Sequence, residues 1–249
     1  MQTVAKPQER QTAYSLLARH ALFAGIDDQT VEMFAQAGQL QEHTKGNILF
    51  LQDDEAEWFY VVVSGWVKLF RETMDGHEAV IDILTYGQSF GETAILENGQ
   101  HSFGAMVVEK STLLRLPAAM LKRSVTENNR MALAMLHTLS DHRRRQTREI
   151  ESLTLQNASQ RIGCFLLRLC HIDMPQPIEL KLPYDKSLIA ARLGMKSETF
   201  SRALNKLRDE TNIKVEGSNV IIPNLDTMSR FACSACSNEF PCEDTHHSH

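Results

Sequence analysis

Residues 189–203 read Ile189-Ala-Ala-Arg-Leu-Gly-Met-Lys-Ser-Glu-Thr-Phe-Ser-Arg-Ala203, and this stretch decides the fold of the C-terminal part of the 249-residue chain. Its small and apolar residues fall at the inward positions of two helices joined by a tight turn. They are Ile189, Ala190, Leu193, Gly194, Met195, Phe200 and Ala203. Gly194 can adopt the left-handed backbone conformation of such a turn, because it has no Cβ atom. The stretch therefore predicts a helix-turn-helix.

The second helix of this motif carries polar side chains on its outward face. They are Ser197, Glu198, Ser201 and Arg202. An arginine can bond O6 and N7 of guanine, a glutamate can accept from N4 of cytosine, and a serine can approach thymine. Lys196 and Lys186 are further candidate contacts, and the predicted partner is double-stranded DNA. In the alternative, structural interpretation, Glu198 caps the helix and Arg202 pairs with it.

The distribution of charge supports a nucleic-acid partner for this region alone. The whole chain has a formal net charge of −5. Residues 157–230, however, carry 11 Lys or Arg against 8 Asp or Glu, whereas residues 1–156 carry 15 against 20. Because phosphate contacts require positive charge, we expect DNA to bind the C-terminal region and the acidic remainder to have a different role.

Length and composition are those of a soluble protein with room for two domains. Hydrophobic residues make up 43% and charged residues 23% of the chain, which is typical of globular proteins. No apolar run approaches the roughly 20 residues that cross a membrane, and the first residues lack the apolar core of a signal peptide. We therefore expect a cytoplasmic protein with no membrane partner, in a compartment where structural disulfides are rare.

The N-terminal part changes its hydrophobic period at about Thr44. Residues 14–40 show short amphipathic helical patterns. Beyond them, β-rich segments are separated by turn pairs such as Ser64-Gly65, Asp75-Gly76 and Asn98-Gly99. The segments are 47–51, 58–63, 65–71, 79–85 and 111–117. Strand and turn signals at this spacing predict an antiparallel β-roll or barrel.

Residues 118–155 show a helical pattern with a possible pairing seam. The seam would consist of Met131, Met135, Leu139, Ile150 and Leu153. Between Leu139 and Ile150 it is polar, and two interpretations remain open. Either the arginines there form a solvated face, or the helix is a dimerisation helix whose pairing is marginal enough for a signal to control.

The remaining patterns complete the predicted fold class, which is α+β. A helix at 157–172, a strand at 178–182 and a hairpin at 213–222 turning near Glu216-Gly217 would convert the helix-turn-helix into a winged helix. We expect four regions. They are a sensor β-roll domain with N-terminal helices at 14–117, a dimerisation helix region at 118–156, a winged helix-turn-helix DNA-binding domain at 157–230 and a cysteine- and histidine-rich tail at 231–249.

This order of elements resembles the CRP/FNR family of bacterial transcription regulators over residues 15–225. The likeness rests on Gly-Asn-Ile-Leu-Phe-Leu-Gln at 46–52, Phe-Tyr-Val-Val-Val-Ser-Gly-Trp-Val-Lys-Leu-Phe at 59–70, Gly91-Glu92 and residues 197–202. Glu198 with Ser201 and Arg202 resembles the FNR branch, which includes nitric-oxide-responsive Dnr regulators. The cyclic-AMP receptor branch has arginine and glycine at the places of Ser197 and Ser201. The resemblance implies a homodimer that binds TTGA-type palindromes and works with RNA polymerase.

The β-roll is of the cyclic-nucleotide-binding type. A cyclic nucleotide is nevertheless not expected as the ligand, because residues that the family uses to bind it are missing here. The family's pocket needs an arginine shortly after Gly91-Glu92, followed by a small hydroxyl residue. Ser102 and Phe103 stand at those places, and no Lys or Arg lies between Gly91 and Val108. A buried phosphate without a cationic partner is costly.

The five cysteines indicate a different kind of cofactor. Cys164 and Cys170 lie on an amphipathic helix and are interpreted as packing residues. Cys233, Cys236 and Cys242 are crowded into the polar tail. A Cys-x2-Cys spacing places two thiolates on one turn, and a third thiolate follows closely. In a reducing compartment this pattern favours a metal site over a disulfide.

The family resemblance points to a [4Fe–4S] cluster on these cysteines. FNR proteins generally hold such a cluster on N-terminal cysteines, but residues 1–163 contain no cysteine. The tail resembles a minority of Gram-positive FNR proteins that use three C-terminal cysteines and an aspartate, which makes Asp141 the fourth ligand by analogy. Nearer alternatives in the sequence are Glu243, Asp244, His246, His247 and His249.

Four other interpretations remain open. Zinc could be held by the three cysteines and a histidine, and the tail could carry redox thiols or no ligand. Haem in the β-roll could sense nitric oxide, although no histidine stands out as its ligand.

The sequence thus predicts a homodimeric, sequence-specific DNA-binding regulator that responds to oxygen, nitric oxide or redox state. A ligand-binding signalling module with a non-functional winged helix is the alternative from another class. An enzyme is not expected, because no nucleophile–base grouping or phosphate-binding loop is found in the sequence.

Overall fold

The computed structural model describes residues 7–170, 175–183, 185–237 and 240–242. The chain divides into two compact units, and the division falls between Asp141 and His142. This point lies inside the longest helix, α4 (Asn129–Leu155). Within the described residues, no helix combines the length and the apolar composition needed to cross a membrane.

The first unit contains two four-stranded antiparallel sheets and the helices α1 (Pro7–Leu17), α2 (Asp28–Ala37) and α3 (Ala118–Glu127). The strand orders are β1-β8-β3-β6 and β2-β7-β4-β5. The strands are β1 (Gln39–His43), β2 (Ile48–Phe50), β3 (Trp58–Ser64), β4 (Val67–Glu72), β5 (Glu78–Leu84), β6 (Ser89–Phe90), β7 (Gly104–Val107) and β8 (Ser111–Pro117). The predicted β-roll is therefore confirmed.

Five of these strands match the predicted segments, whereas β1, β6 and β7 were missed. β1 is polar and lies at a sheet edge, where no apolar alternation is required. β7 begins at Gly104, and a Cβ atom there would lie 2.7 Å from Cζ of Phe70. The glycine permits a close approach inside a sheet, which a sequence pattern does not distinguish from a turn.

Two apolar cores hold the first unit together. One joins α1, α2 and the inner residues of β3 and β8 to α3 and the start of α4, and the other lies among the strands of the two sheets. Met131 and Met135 belong to the first core, with 0% and 1% of their surfaces exposed. The prediction that these two methionines form part of a pairing seam is therefore wrong, because their side chains are used within their own unit.

The second unit is a winged helix. Its elements after α4 are α5 (Ala158–Arg168), β9 (Ile178–Lys181), α6 (Lys186–Arg192), α7 (Ser197–Thr211), β10 (Lys214–Glu216), β11 (Asn219–Ile222) and α8 (Leu225–Ala232). The three strands form one antiparallel sheet in the order β10-β11-β9, and Gly217 turns the hairpin with φ of 62°. Helix α5 packs against α7 and α8.

Helix α8 is the element that the sequence interpretation missed in this unit. Asn224 caps its N-terminus, because the Asn224 side chain accepts a hydrogen bond of 2.8 Å from the backbone N–H of Thr227. Asparagine is a favoured capping residue, so a signal was present in the sequence. A 3₁₀ turn, Cys233–Ala235, follows directly and begins the tail.

Candidate DNA-reading surface and thiol pocket

The helix-turn-helix consists of α6 and α7 and has the core that its sequence predicts. Ile189 and Ala190 are each 1% exposed, and Phe200 is 3% exposed. Gly194 occupies the turn with φ of 63°, the left-handed conformation that its type allows. The packing of these residues fixes which face of α7 remains outside.

That outer face carries the polar residues that the sequence singled out. Ser197, Glu198, Ser201 and Arg202 are all exposed, as are Lys196 and Lys186. The hydroxyl of Ser201 donates to the carbonyl of Ser197 at 3.0 Å. Lys196 holds the N-cap position of α7 without a side-chain cap, and within the described residues no ion pair joins Glu198 to Arg202. The capping and pairing roles of the structural alternative are therefore not seen.

Aromatic rings fill the β-roll where the family's nucleotide pocket would lie. His101 stacks on Phe50 with ring centroids 3.5 Å apart, and Tyr60 stacks on Phe90 at 5.1 Å. Phe103 packs against the same core. Arg71 of β4 does reach this segment, since its Nε donates to the Ser102 carbonyl at 2.8 Å, but Arg71 is exposed. Between Gly91 and Val108 no Lys or Arg is present to face a buried cyclic phosphate, which needs a cationic partner.

His101 is the histidine of the segment between Gly91 and Val108, and the sequence interpretation expected it to be mostly neutral at pH 7. It is only 3% exposed, and its Nδ1 has no hydrogen-bond partner in the described part of the chain. Burial lowers the pKa of His101 from 6.5 to about 4, against the opposing effect of Asp54, so the ring is neutral near pH 7. Phe50 covers one ring face, and Cε1 lies 3.1 Å from where a Cβ of Gly91 would be. Close packing on both sides makes His101 a core residue.

The start of the tail is docked against α4 and α5 within the second unit. Nε2 of Gln156 donates to the Ala232 carbonyl at 3.2 Å, and Nε2 of Gln160 donates to the Ser234 hydroxyl at 2.8 Å. The backbone N–H of Ser237 donates to Glu151 at 2.7 Å, and the Ser237 side chain together with this bond lowers the pKa of the Glu151 carboxyl. The tail therefore has a defined path as far as Ser237.

Docking of the tail brings its thiols to Cys164. A pocket beside α5 is lined by Cys164, Cys236 and Cys242 together with Arg148, Glu151, Ser152, Gln156, Arg168 and Ala235, and we call it the thiol pocket. Cys233 is linked to it through Cys236, and burial, followed by the nearby Cys164, Cys236 and Cys242, raises the pKa of the Cys233 thiol to about 11. The backbone N–H of Cys236 donates to the Cys233 carbonyl at 3.0 Å, which is the single turn expected of Cys-x2-Cys. None of the five cysteines forms a disulfide.

A chain of charged side chains leads from this pocket to the helix-turn-helix. Burial raises the pKa of the Cys164 thiol, and the Arg168 guanidinium, which interacts with this thiol, opposes the shift. Arg168 also donates to Glu149 at 3.4 Å. Arg192 donates to both oxygens of the same carboxylate, to Oε1 at 2.7 Å and to Oε2, which also accepts from Arg168, at 3.2 Å. Since Arg192 is the last residue of α6, one carboxylate connects the wall of the thiol pocket with the first helix of the reading motif.

The predicted metal ligands are only partly brought together. In the described stretches, no group of three or more His, Cys, Asp or Glu side chains is arranged to hold a metal ion. Asp141 is the last residue of the first unit, so the geometry of the second unit does not include it. The alternatives Glu243, Asp244, His246, His247 and His249 lie outside the described residues.

Comparisons with known proteins agree with this architecture. The cyclic nucleotide-binding domain family matches residues 40–128, and the Crp-like helix-turn-helix domain family matches residues 160–231. A solved structure of a proposed cyclic nucleotide binding protein from Ruegeria pomeroyi DSS-3 is 31% identical, with a TM-score of 0.70, and the match covers 90% of this chain and 98% of the other.

Two curated relatives extend the similarity at the level of sequence. The cyclic AMP receptor protein of Thermus thermophilus is 28% identical over 215 residues, which are 85% of this chain and 96% of the relative. The fumarate and nitrate reduction regulatory protein of Yersinia pestis is 26% identical over 191 residues, or 76% of each chain. With both domain families matched in order and a similar structure across nine-tenths of its length, the chain belongs to the CRP/FNR family of transcription regulators.

Proposed function

We propose that this regulator is a homodimer that reads TTGA-type palindromes and responds to oxygen, nitric oxide or redox state through an iron–sulfur cluster held by its tail cysteines. The observation that supports the sensor most directly is that three cysteines that form no disulfide line one pocket of the DNA-binding unit. The relatives named above have different signals in their names, so the similarity to them does not select one.

The reading function rests on the outer face of α7. Glu198 and Arg202 are exposed, and neither forms an ion pair with a described residue. Arg202 can then bond guanine O6 and N7, while Glu198 accepts from cytosine N4. Lys196 and Lys186 supply positive charge nearby for the phosphate backbone. RNA polymerase remains the expected protein partner, because the family's regulators act on transcription.

The homodimer rests on apolar side chains that α4 leaves exposed within each unit. In the first unit Leu133 is 56% and Leu136 is 59% exposed, and in the second unit Ile150 is 67% exposed. Leu153 is partly used within its own unit, because its Cδ2 approaches the turn at Gly194. The corrected seam therefore has Leu133 and Leu136 in place of the buried methionines. Such residues on a 27-residue helix are typical of a pairing surface.

The thiol pocket offers the ligand chemistry of an iron–sulfur cluster, because Cys164, Cys236 and Cys242 line it and cysteine thiolates hold such clusters. Zinc held by the tail cysteines and a histidine remains the alternative, since the candidate histidines lie outside the described residues. A cluster of four irons is the occupant proposed here. When bound, it would supply an oxidisable group that needs thiolate ligands. Cys233, Cys236 and Cys242 would hold it, and Arg148 and Arg168 would offset its negative charge.

DNA binding is tested with a duplex carrying the TTGA palindrome and a duplex with the half-sites scrambled. Protein purified without oxygen is expected to retard the palindrome at concentrations at which the scrambled duplex stays free. Equal binding to both would contradict sequence-specific reading. No binding by protein prepared with or without oxygen would instead favour a signalling module with a non-functional winged helix.

The dimer is tested by sedimentation of the wild type and of the Ile150→Glu variant. A charge at this exposed position is expected to yield monomers with weak DNA binding, because both half-sites must be held about one helical turn apart. Leu155→Glu, at a residue that is also 59% exposed, is the matched control. A variant at Ile150 that stays dimeric would exclude this residue from the interface.

A further inference from the structure

Cys164 is the unexpected member of the thiol pocket. It lies on α5, about seventy residues before the tail cysteines, yet it lines the same pocket as Cys236 and Cys242. Cys233 interacts electrostatically with it as well. None of the four cysteines forms a disulfide, and all four lie inside the second unit.

The approach of the tail to Cys164 is built into the packing of α5 and α8. Gly163 precedes Cys164, and a Cβ atom at Gly163 would lie 2.9 Å from Cβ of Ala232. Only a glycine lets the two helices cross this closely. The hydrogen bonds from Gln156 and Gln160 then fix Ala232 and Ser234 on either side of Cys233. The position of the thiols therefore follows from the fold of the unit.

The pocket also supplies charge that a set of thiolates requires. Arg148 and Arg168 line it, and Arg168 interacts with the Cys164 sulfur one helical turn away. Several thiolates around one group carry a net negative charge, which burial makes costly unless cations lie close.

Cys170, on the residues that follow α5, provides the contrast. Its thiol is 1% exposed, donates to the Leu166 carbonyl at 3.3 Å and does not line the thiol pocket. Two cysteines six residues apart therefore have different surroundings, and only Cys164 faces the tail.

We propose that Cys164 is the fourth thiol ligand of the tail site, completing an all-cysteine set with Cys233, Cys236 and Cys242. The inference rests on the proposed function, because the occupant is the iron–sulfur cluster assigned there. Four cysteines are the usual ligand set of such a cluster. The set then requires neither Asp141 nor a residue of the terminal segment.

The test compares single Cys→Ser variants at positions 164, 233, 236 and 242, with Cys170→Ser as the matched control. Each protein is purified without oxygen, and iron, acid-labile sulfide and absorption near 400 nm are measured per chain. Cys164→Ser is expected to lose iron and sulfide to the level of the three tail variants, and Cys170→Ser to keep the wild-type content. Cys164→Ala and the thermal unfolding of each variant separate the loss of a ligand from a failure to fold.

Two outcomes distinguish this inference from the proposed function. If Cys164→Ser keeps its iron while the tail variants lose theirs, the fourth ligand lies elsewhere and the inference is overturned, but the sensor stands. If the wild type itself carries no iron, the iron–sulfur assignment fails. Cobalt(II) titration of the reduced, metal-free chain then decides the ligand set. A weaker thiolate-to-cobalt absorption in Cys164→Ser supports the four-thiol set, and an unchanged absorption overturns it.

Discussion

The interiors of the two units differ in the space they leave for a ligand. In the β-roll, His101 stacks on Phe50 and Tyr60 stacks on Phe90, and Phe103 packs against the same core. In the winged unit, the space beside α5 remains open and is lined by thiols and arginines. The interior of the β-roll is thus packed with aromatic rings, while the proposed cofactor site lies beside α5 in the winged unit.

The largest effect expected from this comparison concerns the packed interior. The pKa of His101 is lowered to about 4 in the folded protein, so the unfolded chain binds a proton first as the pH falls. Stability that is complete above pH 6.5 should be lost between pH 6.5 and 4, by up to about 3 kcal/mol. His101→Phe, which does not titrate, should remove this part of the pH dependence. Chemical unfolding of both proteins at pH 7 and 4.5 measures it, and equal pH dependence would show that His101 is not neutral and buried.

A second prediction concerns the packing that positions the thiols. Gly163→Ala should destabilise the winged unit by about 1–3 kcal/mol, because the new Cβ meets that of Ala232 and the helices must separate. The double variant Gly163→Ala/Ala232→Gly restores the space and should recover part of the loss. Thermal unfolding measures the loss of stability, and iron content measures whether the thiols are still positioned to hold the cluster. A Gly163→Ala variant as stable as the wild type would mean that α5 and α8 are not in this close contact.

A third prediction concerns the reading helix. Arg202→Ala should weaken binding to the palindrome by about 1–3 kcal/mol and relax the preference for guanine at one position. Lys186→Ala should weaken all duplexes alike and reduce the salt dependence of binding. Affinities for duplexes with each base at that position, measured at two salt concentrations, separate the two patterns. A uniform loss in Arg202→Ala would assign this residue to the phosphate backbone.

The smallest expected effect concerns Glu149, which connects the thiol pocket with the helix-turn-helix. Glu149→Gln keeps the size of the side chain but removes the charge that pairs with Arg168 and Arg192. These side chains are only partly buried, so the loss of stability should be about 1 kcal/mol or less. The difference in DNA affinity between oxygen-free and air-exposed protein should shrink more than the stability does. If that difference is unchanged, the pocket acts on DNA binding by another route.

The sequence predicted the winged helix well because its signals are local. The core positions of α6 and α7 repeat with the helical period, and Gly194 and Gly217 mark the two turns. The β-roll was predicted less completely, since β1 and β7 have no apolar alternation and are defined by their partners. The exposed or buried state of the methionines on α4 also depended on tertiary packing.

The thiol pocket shows the same limit at the candidate site. The spacing of Cys233, Cys236 and Cys242 identified a ligand set, but Cys164 on an amphipathic helix was interpreted as a packing residue. Its proximity to the tail depends on α8, whose Asn224 cap is a weak signal, and on the crossing at Gly163. Contacts made across about seventy residues of chain cannot be derived from local periodicity.

The central claim is that the state of the thiol pocket controls the reading of DNA within one unit. It is tested most directly by measuring the affinity of one preparation for the TTGA palindrome before and after exposure to air, with iron content followed in parallel. We expect iron to be lost and the affinity to change by about tenfold or more, equivalent to a coupling free energy of about 1.4 kcal/mol. Loss of iron with unchanged affinity would contradict the claim.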